Sequence, residues 1–425
     1  MIAPETATIS NAPVGTRSHP SLRLVGARVA IETRTAVRAE IEIDHGWIRR
    51  LMPTHSEGTG VESSASNRYF PTVDLRGYLV LPGLINAHDH LEFNLYPRLG
   101  NGPYANAEDW ARDIYRPGAP PIREHLEVPK AVRLWWGGVK NLLCGVTTVC
   151  HHNPYCEEVF DDDFPIQVVK RYGWAHSLAF PERLEEAFRQ TPLGAPFLVH
   201  LSEGTDVRSE REIFILDELG ALDGRTVVIH GVGMNAAGHK LLCERGAALV
   251  WCPTSNAFTL GKTLNWQTLR GASRIALGSD SALTAEGDLL DEIRAAARLA
   301  GSRAELLYSM VTDRAALVLR LANGEGTLQP GARADLVVIA DHSDTPADAL
   351  AESRYSRIEC VMVAGKLKLV SPGLARRWPA QSLEGLEPIE VEGVRRLIRA
   401  PVKKLLSEAW KHLNFVRLAG RRVSA

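Results

Sequence analysis

The sequence lacks long apolar segments. No part of its 425 residues approaches the roughly 18 to 20 uninterrupted apolar residues that a membrane-spanning helix needs. Residues 1–30 also lack an apolar run after a basic start, so they do not resemble a secretory signal. These two absences predict a cytoplasmic protein with no transmembrane segment.

Cysteine is also scarce. The six cysteines include no CxxC pair and form no dense framework, which argues against a disulfide-stabilised fold and against a cysteine metal site. We expect most of them to be reduced and to pack as small apolar side chains.

The whole chain has almost no net charge, but its parts do. The formal net charge is −1, from 49 Lys and Arg against 50 Asp and Glu. Residues 393–425 hold nine basic residues and one acidic residue, so the rest of the chain holds 40 basic against 49 acidic residues. An acidic body without an aromatic-interleaved basic motif argues against nucleic acid as a partner.

Strand and helix patterns alternate through the middle of the chain. Short apolar runs such as FLVHL and RTVVIHG are separated there by amphipathic stretches. No GxGxxG motif follows the first strand of this region, which argues against an open, doubly wound sheet. This alternation predicts an α/β fold with a closed (β/α)8 TIM-like barrel over residues 81–322. The interval between His152 and His200 is too short for two complete strand–helix units, so we expect one helix there to be short or missing.

The two ends of the chain have a strand pattern instead. Residues 1–80 and 323–375 contain apolar and polar residues in alternation, with Gly and Pro at turns. A few short strands make a poor core by themselves, so we predict that the two ends pair into one small composite β-sandwich. Residues 376–425 are predicted to form a basic C-terminal helical extension.

A candidate helix lies within this C-terminal extension. We interpret its apolar stripe as packing against the parent domain or a second subunit, and attraction to an anionic membrane surface or an acidic partner is the alternative. Pro401 can open the helix, after which the apolar residues on one face are Val402, Leu405, Leu406, Ala409 and Leu413.

Ionisable residues close the apolar runs of the predicted barrel. His88 and His90 end the first run, and His200, His230 and Asp280 end later ones. The carboxyl ends of barrel strands meet at one face, and two histidines separated by one residue on a strand point to the same side. Imidazole and carboxylate groups suit zinc or iron, and such a metal makes hydroxide available at neutral pH. Together these residues predict a catalytic metal site.

The motifs around these residues resemble those of a known superfamily. PGLINAHDH, HLSE, IHGVG, PTSN and LGSDS occur in this order, and PGARADLVV follows them. This order resembles the amidohydrolase superfamily, in particular its cytosine-deaminase-like and triazine-hydrolase-like branch. The resemblance covers about residues 22–370 and implies a composite β-sandwich beside the barrel. It also implies one divalent metal ion, zinc or alternatively iron, with four ligands: His88, His90, His200 and Asp280.

The resemblance places Glu203 and His230 towards the substrate. In the implied mechanism Asp280 takes a proton from the attacking water, and His230 polarises the group under attack or steadies the hydroxide. Glu203 acts as the general acid and base. Members with two metals usually supply a modified lysine from the fourth barrel strand, and Lys170, the one lysine in that part of the sequence, is expected to be solvated. One metal is therefore favoured, and a dinuclear site is the alternative.

Substrate contacts are predicted mainly in the irregular segment after the first histidine pair. Its aromatic and polar residues can cover a flat heteroaromatic ring, and its arginine can meet an anionic substituent. Simple loop packing is the alternative for each of them. The predicted substrate-binding residues are Arg98, Tyr104, Asn106, Trp110, His152 and Asn256.

The sequence therefore predicts a metal-dependent hydrolase. The favoured reaction is deamination of a nitrogen heterocycle or of a related amidine-like C=N carbon, with release of ammonia. The alternatives are hydrolysis of a ring C–N, amide or carbon–halogen bond at the same site, and a metal-binding paralogue without catalysis. The enzyme is expected to act on a small nitrogen-containing substrate and to form a homodimer.

Overall fold

The computed structural model describes residues 21–54, 70–179, 181–265, 274–301 and 303–425. The strands are β1 (Leu22–Val25), β2 (Arg28–Ala30), β3 (Ala36–Asp44), β4 (Trp47–Pro53), β5 (Thr72–Asp74), β6 (Tyr78–Pro82), β7 (Leu84–Asp89), β8 (Val146–His151), β9 (Gln167–Val168), β10 (Gly173–Ala175), β11 (Phe197–Leu201), β12 (Thr226–His230), β13 (Ala248–Trp251), β14 (Ile275–Leu277), β15 (Leu336–Ala340), β16 (Ile358–Val363), β17 (Lys366–Val370), β18 (Glu387–Val391), β19 (Val394–Ile398), β20 (Arg417–Leu418) and β21 (Arg421–Ser424).

Helices connect many of these strands, and none of the described helices is both long and apolar enough to cross a membrane. The α-helices are α1 (Ala107–Ile114), α2 (Ile122–Glu127), α3 (Lys130–Leu143), α4 (Pro181–Gln190), α5 (Val207–Glu218), α6 (Ala236–Glu244), α7 (Pro253–Leu260), α8 (Leu289–Ala300), α9 (Ala304–Met310), α10 (Asp313–Val318), α11 (Pro346–Ala351), α12 (Pro372–Ala375), α13 (Ala380–Leu383) and α14 (Val402–Ala409).

Eight strands of the middle region form two parallel sheets. Strands β7, β8 and β9 make one sheet, and β10 to β14 make the other. Every residue of β7, β8, β11 and β12 is buried, as is usual when both faces of a parallel sheet are covered. Because the strands of each sheet are parallel, their carboxyl ends lie at one edge, and this edge carries the predicted site residues.

The two parallel sheets meet at the end of β7. The backbone N–H of Asp280, which follows β14, donates to the carbonyl oxygen of His88 at 3.0 Å. Strand pairing nevertheless assigns the eight strands to two sheets rather than to one continuous ring. Only residues 169–172 separate β9 from β10, and they contain no helix, which confirms the predicted loss of a helix between His152 and His200.

The remaining strands form a second region, a mixed sheet of 13 strands drawn from both ends of the chain. Strand β6 joins the two ends, since it pairs in parallel with β2 and antiparallel with β15. Strand β3 is long enough to turn a corner, because residues 36–38 pair with β2 whereas residues 41–43 pair with β1. The two layers predicted as a sandwich are therefore connected through one strand, with a single apolar core between them.

The predicted helical extension over residues 376–425 is wrong for most of its length. Strands β18, β19 and β21 add to the edge of the mixed sheet, and α14 is the longest helix that this segment contains. The cause is the hairpin between β18 and β19, where Glu392 and Gly393 have φ values of 46° and 79°. Two successive residues with positive φ match the right-handed twist of paired strands, so this turn favours a hairpin over a helix.

The apolar stripe of α14 packs on the parent chain, as the first of the two interpretations predicted. Helix α14 contacts α3 and β18, and its stripe belongs to the main apolar core. The buried residues of the stripe are Val402, Leu405, Leu406, Ala409 and Leu413.

The six cysteines are all free, and four of them are buried. Their packing agrees with the expectation that most of them serve as small apolar side chains.

Candidate metal centre and active site

Four predicted metal ligands converge at the carboxyl ends of the parallel strands. The Nε2 atom of His200 lies 3.3 Å from Nε2 of His90 and 3.4 Å from Nε2 of His88. The Oδ1 atom of Asp280 lies 3.5 Å from Nε2 of His88 and 3.8 Å from Nε2 of His90. His152 also belongs to this group, because it can direct a ring nitrogen to within 4.8 Å of the other three imidazole nitrogens.

The protonation of these histidines suits a metal ion. Burial lowers the pKa of His90 to about 3 and holds the pKa of His200 well below its usual range, so both rings are neutral at pH 7. The Nδ1–H of His200 donates to the carbonyl oxygen of His176 at 2.9 Å, which leaves its Nε2 lone pair facing the cluster. Neutral imidazoles and one carboxylate around a common point are a donor set for a borderline divalent cation such as zinc.

Asp280 is held by donors from two neighbouring segments. Its Oδ2 accepts hydrogen bonds from Ser255 Oγ at 2.6 Å and from Thr284 Oγ1 at 3.2 Å, and its Oδ1 accepts from the backbone N–H of Ser281 at 2.7 Å. Burial by itself would raise the pKa of Asp280, but the hydrogen bond from His88 and the other neighbouring imidazoles outweigh burial and hold it well below its usual range. The carboxylate is therefore ionised and fixed in orientation.

The strand end that carries Asp280 approaches β7 very closely. A Cβ atom at Gly278 would lie 2.6 Å from the Cβ atom of His88, so only glycine permits this approach. The glycine of the LGSDS motif thus brings Asp280 within reach of the histidine pair.

Glu203 and His230 form a second group beside the cluster. The Oε1 atom of Glu203 lies 3.6 Å from Nε2 of His230, and that nitrogen lies 4.0 Å from Oδ2 of Asp280. The Nδ1–H of His230 donates to Oδ1 of Asn256 at 2.8 Å, which directs Nε2 towards the two carboxylates. Burial raises the pKa of Glu203 to about 7, with His230 opposing this shift and Asp280 adding to it. A carboxyl group with such a pKa can both donate and accept a proton near neutral pH.

Three non-glycine residues of the site have left-handed backbone conformations. The φ values are 53° for Ser202, 73° for His230 and 54° for Asp280. Each such conformation costs on the order of 1–3 kcal/mol and is maintained only by surrounding contacts. At Ser202 one such contact is visible, because its backbone N–H donates to Oε2 of the buried Glu212 at 2.5 Å. The chain therefore turns sharply at these three residues, which lie beside the histidine cluster.

The segment after the first histidine pair crosses the carboxyl ends of the strands. Its backbone bonds to three other segments, since Leu99 N–H donates to Leu283 O, Tyr104 N–H to Thr259 O, and Ala107 N–H to Glu203 O, at 2.8–3.0 Å. These bonds connect the loop after β14, helix α7 and the loop after β11. The segment therefore lies over Glu203 and covers part of the site.

Most predicted substrate-binding side chains in this segment have structural partners. The Oδ1 atom of Asn106 caps α1 by accepting from Asp109 N–H at 2.9 Å, and its Nδ2 donates to Asp206 at 2.8 Å. The Nε1–H of Trp110 donates to the carbonyl oxygen of Leu99 at 2.8 Å, and the hydroxyl of Tyr104 donates to Asp113 at 2.5 Å. These contacts are loop packing, so substrate contact by these residues stays a prediction.

Arg98 lines a large cavity and does not lie among the predicted metal ligands. Its guanidinium stacks on the ring of Phe258 at 4.4 Å from the ring centroid. The cavity has a volume of about 750 Å³ and is lined by residues 95–98, by the loop after Asp280 and by residues 412–420 of the C-terminal segment. The C-terminal segment thus reaches the loop that follows Asp280, which the sequence pattern did not indicate.

Several residues that support the site were missed from the sequence. Ser255 lies in the PTSN motif, yet only its neighbour Asn256 was singled out, and Thr284 carries no motif at all. The buried pair of Lys140 and Asp89 was also missed, although Asp89 lies between the two histidines of the first motif. The expectation that Lys170 is solvated is confirmed, since its side chain is 61% exposed and pairs with Glu157.

Comparison with known sequences finds one matching family and several similar deaminases. The Amidohydrolase family matches residues 168–368. A 5-methylthioadenosine/S-adenosylhomocysteine deaminase from Thermococcus sibiricus is 24% identical over 366 residues, which cover 71% of this chain and 81% of that protein. The deaminase of the same description from Halobacterium salinarum is 28% identical over 323 residues, which cover 63% and 74%.

Solved structures share the fold. An adenosine deaminase from Xanthomonas campestris with bound zinc has a TM-score of 0.63 at 19% identity, covering 93% of this chain and 98% of that chain. An atrazine chlorohydrolase from Arthrobacter aurescens in complex with zinc has a TM-score of 0.68 at 16% identity, covering 92% and 99%. This similarity identifies a TIM-barrel-like α/β fold with an additional sheet domain.

The comparisons support an amidohydrolase superfamily member and a hydrolase that acts on C–N bonds other than peptide bonds. The family resemblance of its motifs is thereby confirmed.

Proposed function

We propose that the protein is a metal-dependent aminohydrolase that deaminates a nitrogen heterocycle. The observation that carries this proposal is the placement of Glu203 and His230 beside the histidine cluster, with Asp280 in contact with both groups. A carboxyl group that titrates near neutral pH suits proton transfer to a ring nitrogen and then to leaving ammonia. The deaminases among the relatives support the same reaction and make an adenosine derivative the first substrate to test.

One zinc ion is the metal that we propose. His88, His90, His200 and Asp280 would hold it, and His152 lies close enough to take part. When bound, the metal supplies the Lewis acidity that makes a water molecule nucleophilic at neutral pH. The zinc bound by the two structural neighbours supports this choice, and the exposed position of Lys170 supports one metal rather than two.

The residues around the metal centre divide the proton transfers between them. We propose that the ionised Asp280 accepts a proton from the attacking water at Oδ2 and that His230, oriented by Asn256, polarises the group under attack. Glu203, protonated at the start, delivers that proton to the ring nitrogen. It then takes up the proton that the new hydroxyl group loses as the C=O bond forms and passes it to the amine, which leaves as ammonia. The proton on Asp280 finally returns to Glu203, which restores both groups. Desolvation by the segment that crosses the strand ends strengthens each of these electrostatic interactions.

The finer architecture is part of the same proposal. The two parallel sheets would close into one eight-stranded barrel over residues 81–322, with residues 1–80 and 323–375 as the sheet domain, whose edge β18, β19 and β21 extend. The hydrogen bond between Asp280 and His88 supports closure on one side. The homodimer and the cytoplasmic location also stay predictions.

Release of ammonia from a panel of adenosine derivatives, pyrimidines, pterins and triazines tests the function. We expect ammonia from at least one of them and a fall in kcat of about 10²- to 10⁴-fold in Glu203→Gln. Glu218→Gln, on the exposed face of α5, is the matched control and should retain activity. Ring opening or halide release without ammonia would contradict deamination and favour the alternative hydrolysis. Activity that is unchanged in Glu203→Gln would contradict the role of that residue.

A further inference from the structure

A buried ion pair lies directly behind the histidine cluster. The Nζ atom of Lys140 is 3.1 Å from Oδ2 of Asp89, and both side chains are 1% exposed or less. Asp89 is the residue between His88 and His90, so strand alternation directs its side chain away from the two imidazoles. Asp89 therefore belongs to the chain segment that carries two of the proposed metal ligands, and Lys140 reaches this segment from α3.

The same lysine also reaches the segment that carries Asp280. Its Nζ donates to Ser279 Oγ at 3.1 Å and lies 3.5 Å from the backbone oxygen of Asp280. A third bond, at 2.8 Å, goes to Oδ1 of Asn94. One ammonium group thus connects the end of β7 to the loop after β14, which together supply three of the four proposed ligands.

Neutral donors complete the surroundings of Asp89. Its Oδ2 accepts from Nδ2 of Asn141 at 2.8 Å, and its Oδ1 accepts from Nδ2 of Asn94 at 2.7 Å. Asn141 follows Lys140 on α3, and this helix comes close because a Cβ atom at Gly137 would lie 2.3 Å from the carbonyl oxygen of Leu91. Both charges therefore have hydrogen-bond partners in a fixed geometry.

This pair is costly if stability is its only purpose. Desolvating two charges offsets most of their attraction, and well-packed apolar residues of the same volume often stabilise a protein as well or better. Its bonds, in contrast, constrain the positions of the metal-ligand residues relative to each other. Partners behind metal ligands commonly set metal affinity by orienting those ligands.

We propose that Lys140 and Asp89 are positioning residues for the metal centre. They hold the end of β7 against the loop after β14 so that His88, His90 and Asp280 face one point. This inference rests on the proposed metal site, but it does not depend on which bond the enzyme hydrolyses.

The affinity of the full-length apoprotein for Zn²⁺, measured by competition with a fluorescent chelator, tests this role. Lys140→Met removes the ion pair and leaves the negative charge of Asp89 near the proposed metal site. Asp89→Asn also removes the ion pair but leaves the positive charge of Lys140 there. If only net charge mattered, the first variant would bind Zn²⁺ more tightly and the second more weakly. We expect both variants to bind about 10- to 100-fold more weakly, because each loses the same geometric constraint.

Three further measurements complete the test. Lys368→Met, at the other buried lysine, is the matched control and should retain the affinity of the unmodified protein for Zn²⁺. The double variant Lys140→Met with Asp89→Asn contains no unpaired charge, so we expect it to fold even if a single variant does not, and still to bind at least tenfold more weakly. The visible spectrum of bound Co²⁺ should change in both single variants and not in Lys368→Met.

Tighter or unchanged Zn²⁺ binding in Lys140→Met, or full recovery of affinity in the double variant, would overturn the positioning role. Absence of ammonia release from a zinc-binding protein would instead refute the proposed reaction and leave the affinities to decide this inference. A protein that binds no zinc would refute both.

Discussion

Two buried lysines show how differently the α/β region and the sheet domain use a charge. Lys140, in the α/β region, pairs with the carboxylate of Asp89 behind the histidine cluster. Lys368, in β17 of the sheet domain, donates to the backbone oxygens of Asp162, Asp163 and Phe164 at 3.2, 3.2 and 2.7 Å. The first lysine organises ionisable residues, whereas the second ties the sheet domain to the loop before β9.

The difference extends to the two regions as a whole. The carboxyl ends of the parallel strands hold a cluster of buried histidines and carboxylates, while the sheet domain contains a core of apolar residues such as Ile41 and Leu336. We infer that changes at the strand ends reduce activity more than stability and that changes in the sheet core do the reverse. The predictions below test this division.

Removal of one proposed metal ligand should have the largest effect. We expect His200→Ala to lower kcat/KM on the order of 10⁴-fold, because residues of one catalytic unit fail together. The control is His342→Ala, at an exposed histidine just after β15 of the sheet domain, which should retain activity. Steady-state ammonia release and the zinc content of each purified variant measure this. Normal zinc content with full activity in His200→Ala would contradict the ligand assignment.

A cavity in the sheet domain should affect stability alone. Ile41 is fully buried in β3, and Ile41→Ala should lower the free energy of unfolding by about 2–5 kcal/mol through lost packing. Ile31→Ala, at an isoleucine that is 45% exposed, is the matched control. Denaturant unfolding and kcat per folded molecule are the measurements. A large fall in kcat for Ile41→Ala would break the comparison between the two regions.

The buried Lys368 should make stability depend on pH. Burial lowers its pKa from 10.5 to about 7, so between about pH 7 and pH 10.5 the unfolded chain binds more protons at this position than the folded chain. The stability of the unmodified protein relative to Lys368→Met should therefore rise with pH in this window, by up to about 1.4 kcal/mol per pH unit. Below pH 7 the difference should be constant. Unfolding midpoints of both proteins from pH 6 to pH 10 measure it, and a flat difference would contradict the assignment.

The smallest expected effect concerns the orientation of His230. Asn256→Ala removes the acceptor for its Nδ1–H, and we expect kcat to fall about tenfold with little change in KM, as for other partners that orient a catalytic imidazole. Asn256→Asp retains an acceptor oxygen and should recover most of the lost activity. A change confined to KM would indicate that Asn256 binds the substrate instead, as the sequence first predicted.

The proposed metal ligands were predicted from the strand ends and the family resemblance together. Parallel strands bring their carboxyl ends to one edge, which gathers ionisable residues there, and the resemblance of the motifs selected His88, His90, His200 and Asp280 among them. The hairpin of β18 and β19 was not recognised, because the apolar residues of a short hairpin also fit a helical stripe. The turn at Glu392 and Gly393 was the available signal.

The contacts that hold the site in place were beyond prediction for a different reason. Lys140 lies on a helix 51 residues after Asp89. Arg421 of the C-terminal strand pairs at 2.5 Å with Asp288, at the end of the loop that follows Asp280. Neither pair has a characteristic spacing, since each depends on how closely two separately formed elements pack. A lysine in the middle of a helix is usually exposed, so the residue type predicts an exposed side chain for Lys140, which is in fact buried.

The sequence by itself determined the superfamily, the alternation of strands and helices and the set of ionisable residues at the strand ends, because periodicity and motif order are local properties of the chain. Only the tertiary structure decided which partners orient those residues, that the C-terminal segment reaches the loop that follows Asp280, and that Lys140 is buried behind the histidine pair. Burial and hydrogen-bond geometry arise from contacts between distant segments, and a linear pattern does not specify such contacts.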